Sequence, residues 1–152
     1  MPEETTLCNT DAAWNPSSRE AGLGWIFSTH ETSTFQGLQF QTHVQSAITA
    51  EALAVRAALT HTIHLDVIKI WLRSDSLGLI RAIASVSKLK NLHGILLDIE
   101  ALSSSFSFCC FSFTPRESNG LADSVAKASL CNMNPLGSGP RNDSFSALWK
   151  FS

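Results

Sequence analysis

The spacing of apolar residues changes period along this chain, and that change constrains the fold more than any other feature. Three strand-like segments come first, at 5–14, 21–29 and 34–41, with short polar turns between them. Helical spacing follows at 46–64, where apolar residues recur every three or four positions. The first part of the chain therefore predicts an antiparallel three-strand meander that leads into a helix.

The second part of the chain alternates strands and helices. A strand is predicted at 67–72, and Ser74 is the predicted N-cap of a helix that runs to about Val86. The remaining predicted elements are a helix at 92–102, a strand at 106–113 and a helix at 118–129. Strand–helix–strand connections make the first and fourth strands, and the fourth and fifth, parallel neighbours. The prediction is an α/β fold, βββαβααβα, with a mixed five-stranded sheet flanked by helices.

Length and composition favour one folded domain. The chain has 152 residues, of which 44% are hydrophobic, enough to bury a core. Residues 1–130 are the predicted domain. Residues 131–152 are rich in turn formers and lack periodicity, so they are predicted to be an irregular tail. Its large apolar residues are candidates for docking onto the domain: Phe145, Leu148, Trp149 and Phe151.

The charge balance excludes a strongly basic nucleic-acid protein, because the formal net charge is −2. A polyanionic partner would need a local patch, neutral donors or metal ions. No apolar run is long enough to span a bilayer, and the N-terminus lacks a hydrophobic signal region. We therefore expect a soluble intracellular protein and no membrane partner. A nuclear and a cytosolic address fit equally well, and a monomer is expected.

Cysteine and histidine patterns give little sign of a zinc site. No CxxC pair occurs among the four cysteines, which are expected to be reduced and mostly in the core: Cys8, Cys109, Cys110 and Cys131. His61 and His64 form an HxxH pair without a second ligand pair at suitable spacing. These histidines are instead expected to finish a helix, where a cation is mildly favoured.

Four carboxylates occupy apolar or element-end settings, where an unneutralised charge is costly. Asp11 closes the strand-like run at 5–10, and Asp75 follows the fourth strand. Ligands of open α/β sheets bind at the carboxyl ends of parallel strands, so these two side chains should meet at one edge. Glu51 shares the helix face of the apolar stripe and should point toward the sheet. Asp123 lies in the first turns of the last helix.

Each acid alone also fits an ordinary structural role. A turn explains Asp11, the first turn of a helix explains Asp75 and Asp123, and the edge of the apolar stripe explains Glu51. Four acids that the topology brings to one edge are harder to explain in this way. Such a set suits a pair of hard cations bound through oxygen. Two ions of this kind can promote an in-line phosphoryl displacement.

Five sequence stretches together resemble the ribonuclease H family, in particular the plant reverse-transcriptase-like domains related to retroelements. They are 9–13, 21–25, 49–54, 74–76 and 116–123. The resemblance covers about 5–130. It implies a ribonuclease H-like fold and a metal-dependent endonuclease that cuts the RNA strand of RNA–DNA hybrids with two Mg²⁺ or Mn²⁺ ions.

The resemblance also implies roles for individual residues. Asp11 would bridge both metals, and Glu51 and Asp75 would complete the ion near the leaving group. Asp123 would help to hold the ion that activates water. Predicted substrate-binding residues are Ala12, Ala13, Ser76, Arg116 and Asn119. For Asn119 the implied role is to fix the loop and the start of the last helix, although a simple helix-start Asn fits equally well.

Some positions depart from the family pattern. Ala47 and Ile48 stand where many relatives carry an Asn pair that reads the minor groove, and 113–118 lacks the histidine of those relatives. The basic protrusion of some relatives has no equivalent. Lys88 and Lys90 are candidates, with Arg116, for a modest phosphate patch, although a solvated face suits the lysines better.

Two other functions therefore remain open. One is a catalytically weak or inactive retroelement-derived module that binds nucleic acid or another partner. The other is an exonuclease or a resolvase-like nuclease on the same fold, because fold alone does not determine function.

Overall fold

The computed structural model describes residues 4–28, 33–85 and 92–133. The strands are β1 (Thr6–Asn15), β2 (Glu20–Ser28), β3 (Ser33–Gln41), β4 (Lys69–Ser74) and β5 (Phe108–Phe113). The helices are α1 (Ala47–His64), α2 (Leu77–Ala84), α3 (His93–Ser103) and α4 (Gly120–Met133), with a 3-10 turn at Arg116–Ser118. The predicted order of strands and α-helices is confirmed.

One mixed sheet contains all five strands, in the order β3-β2-β1-β4-β5. The β1–β2 and β2–β3 pairs are antiparallel, whereas β1–β4 and β4–β5 are parallel, as predicted. The parallel ladder between β1 and β4 ends at the pair Thr10 and Ser74. Asp11 and Asp75 are the next residues along these two strands, so the topology brings them to one place.

Helices cover the two faces of the sheet unequally. The buried residues of α1, α2 and α3 share one core with Ile70 and Leu72. On the other face, α4 packs against β1, β2 and β3. This approach requires glycine: a Cβ at Gly22 would overlap the Ala126 carbonyl, and one at Gly24 would lie 2.6 Å from the Ala126 nitrogen. The glycines therefore let α4 lie close to β2.

Two predicted element ends in the first two thirds of the chain are wrong, for reasons of strand pairing. Asp11 does not close β1, because pairing with β2 continues the strand to Asn15. Ser74 is not a helix N-cap, because its pairing with Phe113 keeps it in β4. The cap of α2 is Ser76, whose Oγ accepts a hydrogen bond from the Leu79 N–H at 3.3 Å.

The last helix also differs from its prediction. It begins at Gly120, after the 3-10 turn, and continues to Met133 rather than ending at 129. It therefore passes the predicted domain boundary at 130. Residues 86–91, with Lys88 and Lys90, lie outside the described part of the chain, as do residues 134–152. The docking of the tail stays a prediction.

The histidine pair is split between core and solvent. His61 is fully buried, and its Nδ1 accepts a hydrogen bond from Trp25 Nε1 at 2.8 Å, whereas His64 is exposed. Burial lowers the pKa of His61 to about 4, so the expectation of a helix-end cation is wrong for this residue. The four cysteines are free, with Cys8 buried and Cys131 exposed. Among the described residues, no helix is long and apolar enough to cross a membrane.

Candidate active site

Three carboxylates converge at the end of the β1–β4 ladder. Asp11 comes from β1, Glu51 from the second turn of α1, and Asp75 from the bend after β4. One oxygen of each lies within 4.8 Å of the others. Asp11 is 4% exposed, and the Asp75 side chain is 1% exposed. Glu51 thus reaches the sheet edge that its helical register predicted.

Burial and mutual repulsion dominate the electrostatics of this cluster. Burial, with the charge of Asp75, raises the pKa of Asp11 to about 6. Burial, with the charge and hydrogen bonding of Asp11, raises the pKa of Glu51 to about 10. The Ala12 N–H donates to Asp11 Oδ1 at 2.9 Å, but Glu51 Oε1 and Asp75 Oδ1 are buried without a hydrogen-bond partner. Two carboxylate oxygens of the cluster are therefore buried without a donor.

Asp123 lies beside the cluster rather than in it. It contacts Asp11, and its Oδ2 lies 3.0 Å from Lys127 Nζ, one helical turn further along α4. Burial acts to raise the pKa of Asp123, but hydrogen bonds from Lys127 and Asp11 outweigh it and leave this pKa lowered. The Asp123–Lys127 contact is thus closer than the 3.9 Å between Arg116 Nε and Asp75 Oδ2.

Asn119 connects the elements that carry the acids. It is 1% exposed, and its Nδ2 donates to the Thr10 carbonyl at 2.8 Å and to Asp75 Oδ2 at 3.3 Å. Its backbone carbonyl accepts a hydrogen bond from the backbone N–H of Asp123. This geometry supports the predicted role in fixing the loop and the start of α4. The side chain is enclosed by protein, and a substrate contact of Asn119 stays a prediction.

The other predicted substrate-binding residues surround the acids in different ways. The Arg116 side chain is 84% exposed, with Nε 3.9 Å from Asp75 Oδ2, so it can meet a ligand at the rim of the site. Ser76 caps α2. Ala12 packs against the core, and Ala13 pairs with Gly22 in the sheet. For Ser76 and Ala12 these contacts give a structural role, and their substrate role stays a prediction.

Sequence reasoning missed Arg73, two residues before Asp75. Its Nε donates to Asn9 Oδ1 at 2.9 Å, and its guanidinium carbon lies 5.3 Å from the centroid of the Trp71 ring. The available signal was the period of two in Lys69, Trp71 and Arg73, which marks the sheet face opposite the core.

The donor set fits a hard divalent cation. Its ligand atoms are carboxylate oxygens, which Mg²⁺ and Mn²⁺ prefer. Glu51 Oε1 and Asp75 Oδ1 have no hydrogen-bond partner, burial and repulsion raise the pKa of Asp11 and Glu51, and the single Arg116 contact at 3.9 Å does not neutralise the ionised cluster. A bound cation would do so.

Comparison with known structures places the fold. The ribonuclease H1 of the halophilic archaeon Halobacterium salinarum matches with a TM-score of 0.78 at 21% identity, over 84% of this chain and 98% of that one. LC11 ribonuclease H1 from compost, solved with an RNA/DNA hybrid, matches with a TM-score of 0.76 at 17% identity, over 84% and 98%. At these identities the likeness shows the ribonuclease H fold.

A third solved structure agrees. The N-terminal ribonuclease H domain of a Mycobacterium tuberculosis protein matches with a TM-score of 0.75 at 20% identity, over 84% of this chain and 94% of that one. No curated protein matches the chain.

At the level of sequence, the family described as reverse transcriptase-like matches residues 9–129, most of the chain. This match contains all four predicted acids and the elements that bring them together. The plant origin and the link to retroelements are not tested by it and stay predictions. The chain belongs to the reverse transcriptase-like family.

Proposed function

We propose that this protein is a metal-dependent endonuclease that hydrolyses the RNA strand of RNA–DNA hybrids. The observation that carries the proposal is the convergence of Asp11, Glu51 and Asp75 within 4.8 Å, at the parallel-strand edge of a ribonuclease H fold. A structural neighbour of the same fold was solved with an RNA/DNA hybrid. The hybrid is therefore the first substrate to test.

Asp11 would be the carboxylate shared between two cations, because it interacts with Glu51 and Asp75 and also with Asp123. We assign Glu51 and Asp75 to an ion near the leaving group and Asp123 to a second ion. When bound, two Mg²⁺ or Mn²⁺ ions supply an activated water and neutralise the charge that develops on the phosphate.

The remaining residues position these groups. Asn119 holds Asp75 and the start of α4 next to β1, so the acids are held in place before a substrate binds. Arg116 offers an exposed guanidinium beside Asp75 for a substrate phosphate. Ala12 and Ala13 lie on β1 next to Asp11, where their backbone is the proposed substrate contact, and Ser76 is proposed to approach the substrate at the start of α2.

The test is cleavage of a labelled hybrid by purified protein in millimolar Mg²⁺ or Mn²⁺. The wild type should nick the RNA strand, and Asp75→Asn should lower the rate roughly 10²- to 10⁴-fold. Asp98→Asn is the matched control, because Asp98 is an exposed carboxylate paired with Arg56. It should cut like the wild type. A well-folded wild type that cuts no faster than Asp75→Asn would refute the proposal.

One observation favours a second candidate, a catalytically weak nucleic-acid-binding module. Lys127 already pairs with Asp123, and that contact opposes a second cation. Hybrid binding without turnover would support this candidate. Parallel assays with double-stranded RNA and DNA separate both from a nuclease of other specificity on this fold.

A further inference from the structure

One half of a sheet face is left open by the helices. α4 packs against β1, β2 and β3, and in the described part of the chain no helix packs over β4 and β5 on that side. This open face carries polar and aromatic side chains on three adjacent strands. We call them the basic strip: Asn9 of β1, Lys69, Trp71 and Arg73 of β4, and Ser112 of β5.

Hydrogen bonds and stacking organise the strip. Arg73 pairs across the sheet with Asn9 and with Ser112, and its Nε donates to Asn9 Oδ1 at 2.9 Å. The guanidinium lies over the Trp71 ring, at 5.3 Å from its centroid. Trp71 Nε1 in turn donates to Ser112 Oγ at 2.7 Å. Two further Arg73 nitrogens have no hydrogen-bond partner among the described residues, so they can take a ligand.

The charge of the strip is of one sign. Lys69 and Arg73 are cationic, and none of the five strip residues is acidic. The protein as a whole has a formal net charge of −2, so a polyanion needs a local patch of this kind. Planar guanidinium groups bind phosphates in bidentate fashion and also stack on bases.

The strip is continuous with the acidic cluster. Asn9 precedes Asp11 by two residues on β1, and Arg73 of β4 precedes Asp75, in the bend after that strand, by two residues. Two residues of strand span about 7 Å, and Lys69 lies roughly 20 Å from Asp75 along the same strand. A nucleic-acid strand held at the carboxylates can therefore continue over Arg73 and Trp71 toward Lys69.

We propose that the basic strip binds a single-stranded nucleic-acid segment that flanks the cleavage site, with phosphates on Arg73 and Lys69 and a base on the Arg73–Trp71 stack. Stacking platforms beside cations are a general mode of single-strand binding. The proposal rests on the proposed function only in taking that strand to be an extension of the nucleic acid at the carboxylates.

Binding of a single-stranded DNA of about 12 nucleotides, measured by fluorescence anisotropy in EDTA, tests the strip without the metal site. Arg73→Gln should weaken binding about five- to tenfold and lower the slope of log K against log salt by about 0.7. Arg73→Lys keeps the charge and should keep the slope. Arg81→Gln is the matched control, because Arg81 is exposed on α2, across the sheet. It should bind like the wild type.

Two outcomes would overturn the proposal: the wild type binds no DNA, or Arg73→Gln and Arg81→Gln bind DNA with the same affinity. A change from dimer to monomer in Arg73→Gln, seen by sedimentation, would mean that a second copy covers the strip. If Arg73→Gln fails to fold, Lys69→Gln replaces it, with about threefold weaker binding expected.

Hybrid cleavage separates this proposal from the proposed function. If the strip binds DNA as expected but no hybrid is cut, the strip stands and the proposed function fails. If hybrids are cut and Arg73→Gln binds DNA like the wild type, the strip fails and the proposed function stands. If both hold, Arg73→Gln should raise KM for a hybrid with a single-stranded extension and leave kcat unchanged.

Discussion

Two clusters of buried polar side chains in the described part of the chain are paired in opposite ways. In the core, Trp25 of β2 donates a hydrogen bond to His61 of α1. The rings of His61 and Phe27 form a T-shaped contact with their centroids 5.1 Å apart. At the end of the β1–β4 ladder, Asp11 and Glu51 are buried against each other and against Asp75. The first group pairs a donor with an acceptor, whereas the second collects acceptors of one charge.

The pKa values show what this difference means. Burial lowers the pKa of His61 to about 4, so the ring is neutral near pH 7 and suits its apolar surroundings. Burial and repulsion raise the pKa of Asp11 and Glu51, so the charged cluster destabilises the fold without a cation. A complementary buried pair serves the structure. A buried cluster of one sign implies a ligand that supplies the opposite charge.

Breaking the complementary pair should have the largest effect on stability. His61→Ala leaves a cavity and removes the acceptor of Trp25 Nε1, so the free energy of unfolding should fall by about 3–5 kcal/mol in urea titrations. His64→Ala is the matched control, since His64 is exposed at the end of the same helix, and it should cost less than about 0.5 kcal/mol. Equal costs would mean that the core contact contributes little.

The acidic cluster should make the free energy of unfolding depend on pH. Glu51 keeps its proton to about pH 10 when folded but loses it near its ordinary pKa of 4.5 when unfolded. Between these values the unfolded state binds fewer protons, so stability falls as pH rises. Urea titrations of metal-free protein from about pH 7 to about pH 8.5 should show a loss of about 1 kcal/mol per pH unit.

Titration of His61 does not affect stability in this pH range. Stability from neutral His61 is lost only as pH falls below its ordinary pKa of 6.5, so His61 contributes no slope above pH 7. Glu51→Gln should flatten the dependence, and millimolar Mg²⁺ should reduce it in the wild type and raise stability there. A slope that survives in Glu51→Gln, or Mg²⁺ without effect on the wild type, would remove the case for a cation at the cluster.

Much of this site follows from the sequence because its residues sit in regular elements. The period of four and three in α1 directs Glu51 to the sheet. The strand–helix–strand connection places Asp11 beside Asp75. The strand predicted at 5–14 contains Asp11, but its placement at the strand end was wrong, because the pattern of β1 alone does not reveal that pairing with β2 outlasts pairing with β4.

Long-range partners are what the sequence does not predict. The HxxH spacing suggested a helix-end cation at His61, and nothing local reveals that Trp25, 36 residues away, donates to it. The contact of Arg73 with Asn9 joins residues 64 apart. Asn119 likewise meets the Thr10 carbonyl across 109 residues. Each depends on the strand order or on how a helix packs against the sheet, which local patterns constrain only indirectly.

Replacement of Lys127 should have the smallest effect, and it tests whether Asp123 binds a cation together with the acidic cluster. Asp123 forms an ion pair with Lys127, whose Nζ lies 3.0 Å from Asp123 Oδ2. That ammonium competes with a cation bound through Asp123. Lys127→Met should therefore strengthen Mg²⁺ binding about twofold, close to the 0.3–0.5 kcal/mol of an exposed helical ion pair. Isothermal calorimetry of the metal-free protein measures this directly.

Arg56→Met is the matched control, because it breaks another surface ion pair, with Asp98 at 2.9 Å, away from the acids. It should leave Mg²⁺ affinity unchanged. If Lys127→Met and Arg56→Met bind Mg²⁺ alike, Asp123 takes no part in binding the cation. The three-carboxylate cluster would then be the whole site, and the assignment of a second ion to Asp123 would fail while that of the first ion stood.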